Sequence, residues 1–245
     1  MKSVTILIPS YRRPDNIPIL IKRIKEFTYP IERVMIWNNN CTEDGKDIHI
    51  KDDELKIDII NSNTNRFETI AFIMLGHLTK SDYILAIDDD RPPGPKFVEW
   101  AIKKQEETPG WYVQRGVRLS SKKSYLPNTR ISSKVRNGEL ELVDFGGGVS
   151  FYPNSYTQHF LREKPPTYVA ISDMHFAYTI QKYGNCKVYT PHPPEEGMLP
   201  MYKKEIMPNK DDDATASWRR QEHWINRTGY VRWATRNGWK LIEAK

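Results

Sequence analysis

The run Ile84-Leu85-Ala86-Ile87-Asp88-Asp89-Asp90 sets an apolar, strand-like segment directly against three consecutive carboxylates. A segment of that composition belongs inside a sheet, and three acids crowded at its end repel one another unless a cation lies among them. A divalent metal site is the first reading. Oxygen ligands at the carboxyl end of a buried strand suit a hard ion such as Mg2+ or Mn2+, which completes its shell with substrate phosphates. A solvated turn is the alternative, because Arg91-Pro92-Pro93-Gly94 follows. The strand ahead of the acids favours the site.

The same strand logic runs through the first third of the chain. Val4 to Ile8 reads as a buried strand closed by Pro9-Ser10, and Ile17, Leu20, Ile21, Ile24 and Phe27 follow at helical spacing behind Asp15 as a cap. Val34 to Trp37 and Lys56 to Ile60 read as further strands, and Phe67 to Leu78 as an amphipathic helix leading to the acids. Alternation of strands and helices predicts an α/β domain with a mainly parallel sheet covered on both faces, its ligand crevice at the carboxyl ends of the strands. Ser10-Tyr11-Arg12-Arg13, Asn38-Asn39-Asn40, Asn61 to Arg66 and the acids would gather along that edge.

The second half is less regular. Pro95 to Glu107 reads as a helix, Gly110 to Leu119 as a strand, and Val143 to Tyr152 as a strand interrupted by Gly146-Gly147-Gly148, either a bulge or a point of close ligand approach. Seven Lys or Arg and no acid lie between Arg115 and Gly138, a solvated loop or a lid over an anionic substrate. Ser172-Asp173 is expected to cap a helix running to Tyr183, with Gly184 as its terminator, and Asp213 to Gly238 is a last helical stretch, broken at Gly229.

With 245 residues the chain suffices for one α/β domain. Its net charge of +6 favours anionic partners without choosing among nucleic acid, membrane surface and nucleotide diphosphate. Only Cys41 and Cys186 occur, so neither a disulfide framework nor a structural zinc site is indicated. No segment approaches the ~20 apolar residues of a membrane span, and the opening apolar run is too brief for a signal peptide; a cytoplasmic location is the expectation.

Taken in order, the landmarks resemble the GT-A glycosyltransferases. The likeness is to the exostosin-like branch, glycosyltransferase family 64, and more distantly to family 2. Thr5 to Arg13 resembles the opening strand and its Thr-Tyr-Asn-Arg turn, Val34 to Asn39 the Val-Val-Trp-Asn-Asn strand, and Asn65-Arg66-Phe67 the Asn-Arg pair before a helix. Asp88-Asp89-Asp90 matches the Asp-x-Asp motif, and Gly148-Val149-Ser150-Phe151 resembles the acceptor-side Gly-Ala-Ser-Phe strand. Ser172-Asp173-Met174 falls at the acidic helix cap, with Ser172 where the family carries a first acid, and Trp218 to His223 resembles a carboxyl-terminal Trp-His-Arg-x-Glu-His.

The resemblance implies a single GT-A domain with a mixed, mainly parallel sheet flanked by helices, residues 1–92 holding the nucleotide sugar and 93–245 the acceptor. It implies a Mn2+ (or Mg2+)-dependent transfer from a nucleotide sugar, a UDP-sugar, to a hydroxyl of a glycan or other acceptor, with retention at the anomeric carbon. Asp90, with Asp88, would hold the metal. Asp88 and Asp89 would bind ribose or sugar hydroxyls and metal waters, and Ser10, Tyr11, Arg13, Asn38, Asn65 and Arg66 the base and ribose. Asp173 would serve the acceptor and Arg220 would close over the leaving diphosphate. His192 is a further metal-ligand candidate, and Trp111, Trp218 and Trp224 offer sugar-stacking faces or core packing. Two rival readings remain. A basic nucleic-acid-binding protein leaves the acids unexplained, and a sugar nucleotidyltransferase would carry a Gly-rich loop where Ser10-Tyr11-Arg12-Arg13 stands.

Overall fold

A computed structural model describes residues 1–39, 41–44, 46–65, 76–133, 136–201 and 221–242. Their strands are β1 (Val4–Tyr11), β2 (Arg33–Asn39), β3 (Ile57–Asn61), β4 (Tyr83–Ala86), β5 (Trp111–Leu119), β6 (Asn128–Ser132), β7 (Leu140–Val143), β8 (Phe145–Pro153) and β9 (Val188–Pro191). They form one sheet in the order β3-β2-β1-β4-β8-β5-β9-β7, with β6 paired to β5. The first four spatial positions are parallel. β8 then runs antiparallel to both β4 and β5, which makes the sheet mixed as expected.

Alternation along β1 shows why its sequence is apolar without interruption. Ile6 and Ile8 enter one core with Leu20, Leu85, Phe97 and Phe151, while Leu7 enters the other with Trp111, Tyr152, Phe176 and Tyr230. Successive side chains of a strand point to opposite faces, so a strand buried on both needs an apolar residue at every step. Helices α1 (Ile17–Ile24) and α3 (Phe97–Glu107) contribute to the first core, and α4 (Ser172–Gly184) and α5 (Gln221–Arg236) to the second; α2 (Cys41–Asp44) is a single turn.

Several expectations are corrected. Asp15 caps no helix: Pro14–Asn16 form a 3-10 turn, and the Asp15 carboxylate pairs with Lys46 at 3.2 Å. Ile171 is the N-cap residue of α4, which leaves Ser172 and Asp173 inside the first turn, and Asn185 (φ 48°), not Gly184, adopts the left-handed conformation that ends it. Gly229 does not break α5. A helical glycine costs about 1 kcal/mol, which burial of Tyr230, Val231 and Ala234 beside it outweighs. The glycine run likewise leaves β8 continuous, and the irregularity falls opposite, as a register shift between Val113 and Arg115.

The basic stretch after Arg115 is neither free loop nor lid where it is described. β6 folds it back on β5, and the turn docks on α5 through Arg232 Nε to the Lys123 carbonyl (2.7 Å) and Thr235 Oγ1 to the Lys122 carbonyl (3.1 Å). The expected helix from Phe67 to Leu78 lies mainly outside the described residues.

Between α4 and α5 a buried polar cluster joins the helices. His175 Nδ1 lies 2.9 Å from the Tyr230 hydroxyl and its Nε2 3.0 Å from the Phe160 carbonyl. These partners fix a neutral ring that donates from Nε2 and accepts at Nδ1. Glu163, next to it, accepts hydrogen bonds from Tyr178, Lys182 and Tyr183.

Candidate active site

The Ile87 N–H donates to the Leu7 carbonyl (3.0 Å), so β4 stays beside β1 up to the first acid, and the chain then turns through an Arg91 N–H to Asp88 carbonyl bond of 3.1 Å. The middle acid, Asp89, is buried and faces β1: its carboxylate accepts from the Tyr11 N–H (3.0 Å) and from Arg13 Nη1 (2.9 Å). Asp90 Oδ2 lies 3.5 Å from Arg13 Nη1 and its Oδ1 3.4 Å from Arg91 Nε. The same Arg91 Nε is 3.2 Å from Asp88 Oδ2, whose side chain is 43% exposed against 8% for Asp90. Three carboxylates thus share two buried guanidinium groups. Burial pushes the Asp89 carboxyl up to about 7, against the pull of Arg13 and the Tyr11 N–H.

Asp89 and Arg13, expected at the ribose and base, bind each other and brace the loop after β1. A solvated turn is excluded by the burial of Asp89 and Asp90. The crowding of charge is relieved by arginines of the chain itself. Of these, Arg91 was not singled out in the sequence, although a basic residue directly behind three acids was the available signal.

Parallel register brings the other strand ends into line, with Ser10 beside Asn38 and Asn38 beside Asn61. Ser10 is fully buried, and its Oγ has no hydrogen-bond partner among the described residues. Tyr11 carries the Arg12 guanidinium over its ring at 5.1 Å, and Arg12 itself sits at φ 59°, a region few non-glycine residues occupy. The Asn38 amide nitrogen donates to the Lys46 carbonyl (3.1 Å) and to Asn61 Oδ1 (3.0 Å), and Asn61 in turn bonds both main-chain groups of Ile48. Asn38 is therefore a buried tie for the 46–48 segment. Asn65 follows the Ser62–Thr64 turn beyond β3. Arg66, Arg220 and Trp218 lie outside the described residues.

β8 joins the acids to the acceptor-side candidate. A Cβ on Gly147 would meet Asp173 Oδ2 at 2.5 Å, and one on Gly148 (φ 83°) would meet the Gln114 amide and lie 3.5 Å from Arg91 Cδ. Two adjacent glycines thus seat the Asp173 carboxylate and the Gln114 amide directly against the strand, with the Arg91 stem in contact beside them. Gln114 Nε2 lies 2.8 Å and Arg91 Nη1 3.6 Å from Met201 Sδ, which places a second unanticipated polar residue, Gln114, beside the same spot.

Two other candidates fall elsewhere. His192 sits beyond β9 with Nε2 at 3.2 Å from Glu141, three strand spacings, roughly 14 Å, from β4. Trp111 is fully buried with its ring 4.9 Å from Phe176 and offers no stacking face; Trp224, in the first turn of α5, is 37% exposed.

Among the described residues no group of three or more His, Cys, Asp or Glu is arranged to hold a metal ion. Asp88 and Asp90 nevertheless have the donor chemistry for one: two hard carboxylates flanking one cationic position, at which Arg91 Nε now lies. Two protein oxygens plus diphosphate oxygens and waters is a coordination set that Mg2+ or Mn2+ accepts.

The fold agrees with that of known glycosyltransferase structures. A mannosyltransferase, PcManGT from Pyrobaculum calidifontis, in complex with GDP-Man and Mn2+, superposes with a TM-score of 0.56 at 16% identity, over 78% of this chain and 55% of that one. S. aureus TarS 1-349 gives 0.51 at 12% identity, over 77% and 57%, and its complex with UDP-GlcNAc gives 0.51 over 77% and 55%. The chain thus spans a little over half the length of these structures, and at such identities the likeness is one of fold. No curated protein matches in sequence. Residues 5–178, from the first strand to the middle of α4, match Glycosyl transferase family 2, and the chain belongs to that family.

Proposed function

We propose that the chain transfers a sugar from a nucleotide diphosphate donor, a UDP-sugar, to a hydroxyl of a glycan or other acceptor, with Mn2+ or Mg2+ at Asp88 and Asp90. The observation that carries this reading is the convergence on β8: Arg91, which pairs with Asp88 and Asp90, lies beside Gly148, and the Asp173 carboxylate lies against the adjacent Gly147. Residues 1–92 form the donor side and 93–245 the acceptor side. A UDP-GlcNAc complex of a structural relative supports a uridine donor, and a GDP-Man and Mn2+ complex of another supports a metal.

Asp88 and Asp90 hold the diphosphate end through the metal, which, when bound, neutralises charge on the leaving group. Tyr11 offers a ring face to the base, and Asn65, Arg66 and Ser10 hydrogen-bond the nucleoside; Arg220 adds a cation to the diphosphate. Asp173 takes the proton of the attacking hydroxyl. Retention was implied by the exostosin-like branch, a finer likeness carried by short motifs only; with family 2 matched, a base on the acceptor side is the simpler role. Asp173→Asn is expected to keep UDP affinity within about twofold by calorimetry and lose about 10²–10⁴-fold in transfer rate. Normal turnover in that variant removes Asp173 from the chemistry, and proton NMR of the product linkage reads the stereochemical course. Screening nucleotide sugars for slow hydrolysis identifies the donor. Absence of UDP binding, with salt-sensitive binding of a single-stranded oligonucleotide instead, overturns the whole assignment.

A further inference from the structure

We propose that the side-chain amide of Gln114 hydrogen-bonds a hydroxyl of the donor's sugar and so helps to choose which sugar is transferred. The inference rests on the glycosyltransferase reading above and deepens it, since that reading assigns residues to the nucleotide, the metal and the attacking hydroxyl but none to the sugar itself.

Gln114 is a polar residue in a part of β5 that otherwise serves the interior. Trp111, Tyr112 and Val113, just ahead of it, are fully buried, Tyr112 in one core and the other two in the second. Gln114 is itself only 7% exposed, yet neither end of its amide has a strong partner among the described residues. Oε1 has none, and Nε2 meets the Met201 sulfur at 2.8 Å, a weak acceptor. Exchanging the two amide atoms leaves the same deficit, one end bare and the other on a thioether. A buried amide without its bonds is destabilising, and a ligand hydroxyl would restore them.

The backbone is shaped around this side chain. β5 and β8 lose register between Val113 and Arg115, and Gly148, at φ 83°, falls in that break. A Cβ on Gly148 would come within 2.4 Å of Gln114 Oε1, so a glycine is what admits the amide. Irregularities of this kind re-aim a side chain away from the regular alternation of a strand. The next residue of β8, Gly147, carries the Asp173 carboxylate against it, and Arg91, which pairs with Asp88 and Asp90, is in contact beside Gly148. The amide is thus set between the group assigned to the attacking hydroxyl and the acids assigned to the diphosphate. In the transfer, the sugar lies between those two. A neutral amide also suits a hydroxyl better than the other ligands present: each is both donor and acceptor, whereas a diphosphate selects cations and a hard metal selects carboxylates.

Calorimetry with Mn2+ tests the contact by comparing UDP, UDP-glucose, UDP-galactose and UDP-GlcNAc on wild type and on Gln114→Met, which keeps the length of the side chain and removes the amide. UDP affinity is expected to stay within about twofold, while the tightest of the three UDP-sugars loses about tenfold or more. The melting temperature of Gln114→Met is expected to hold or rise, because the amide it removes has no strong partner within the described protein. A second measurement uses the wild type: the Gln114 side-chain NH2 signal in the NMR spectrum, assigned by its loss in Gln114→Glu, is expected to shift with Mg2+ and the tightest UDP-sugar beyond any shift caused by Mg2+ and UDP. If Gln114→Met keeps wild-type affinity for all three UDP-sugars, or loses UDP as much as it loses UDP-sugar, or the amide signal answers UDP and UDP-sugar alike, the sugar contact is overturned and the enzyme assignment stands. If wild type binds none of the four, both fall.

Discussion

Two places in this protein concentrate buried polar groups, and they are built on opposite terms. At the end of β4 three carboxylates share two guanidinium groups among the described residues, and one acid stays partly open to solvent. Between α4 and α5 a single carboxylate, Glu163, collects Tyr178, Lys182 and Tyr183, and the neighbouring His175 has a partner on each nitrogen. Burial raises the Glu163 carboxyl, but the hydrogen bonds from Lys182, Tyr183 and Tyr178 outweigh it and hold it below the usual range. The second cluster is closed: every charge has an internal answer, and its work is to fix one helix on another. The first gathers three acids at one strand end and leaves the Asp88 side chain 43% exposed. Carboxylates crowded at the end of a buried strand are a costly arrangement for stability alone, which suits a seat for something positive.

Breaking the open cluster should cost activity and little stability. Asp90→Ala is expected to lower transfer by about 10³-fold or more and to abolish metal-dependent UDP binding by calorimetry, with the melting temperature little changed. A milder disturbance is Gly147→Ala, whose Cβ would displace the Asp173 carboxylate. It should reduce kcat about tenfold or more at unchanged UDP affinity, because small displacements of a reacting group are expensive. Equal loss of UDP affinity in Gly147→Ala would mean that Asp173 is not on the acceptor side.

Breaking the closed cluster should do the reverse. Burial lowers His175 to about 4, despite the opposing Phe160 and Glu163 carbonyls, from an ordinary value of 6.5. In the window from about 6.5 down to about 4 the unfolded chain binds a proton that the folded protein refuses, so stability falls as pH falls, by about 2–3 kcal/mol across the window. The raised Asp89 carboxyl contributes the opposite slope to both proteins, so denaturant melts at several pH values are expected to show the His175 contribution as the difference between wild type and His175→Gln. A variant that keeps the slope would place the titration elsewhere. The smallest effect is expected from Lys182→Ala, whose partly exposed pairing with Glu163 is worth up to about 1 kcal/mol, with transfer unchanged.

The parallel part of the sheet was legible because strands buried on both faces leave uninterrupted apolar runs: β1, β2 and β4 announce themselves, and so do α1 and α3. The short strands β6, β7 and β9 were not, since four or five residues with mixed burial carry no distinctive period. The acids were found, but their roles were not, because which of three adjacent carboxylates turns inward depends on Tyr11 and Arg13, far away in the chain. Asn38 shows the same limit from the other side: an asparagine at a strand end looks like a ligand contact until the segment it ties down is seen. The triple glycine, read as an interruption or a point of close approach, makes a clearing for Asp173 and Gln114.

The left-handed backbone at Arg12 has a further consequence. A non-glycine residue held there costs about 1 kcal/mol or more and persists because neighbouring contacts insist on it, the Asp89 bond to the Tyr11 N–H foremost. That loop is consequently shaped during folding, before any nucleotide arrives. The entropy of ordering it is settled in advance, so an incoming base would meet a rigid rim, and affinity there would be set by fit rather than by how readily the rim adapts.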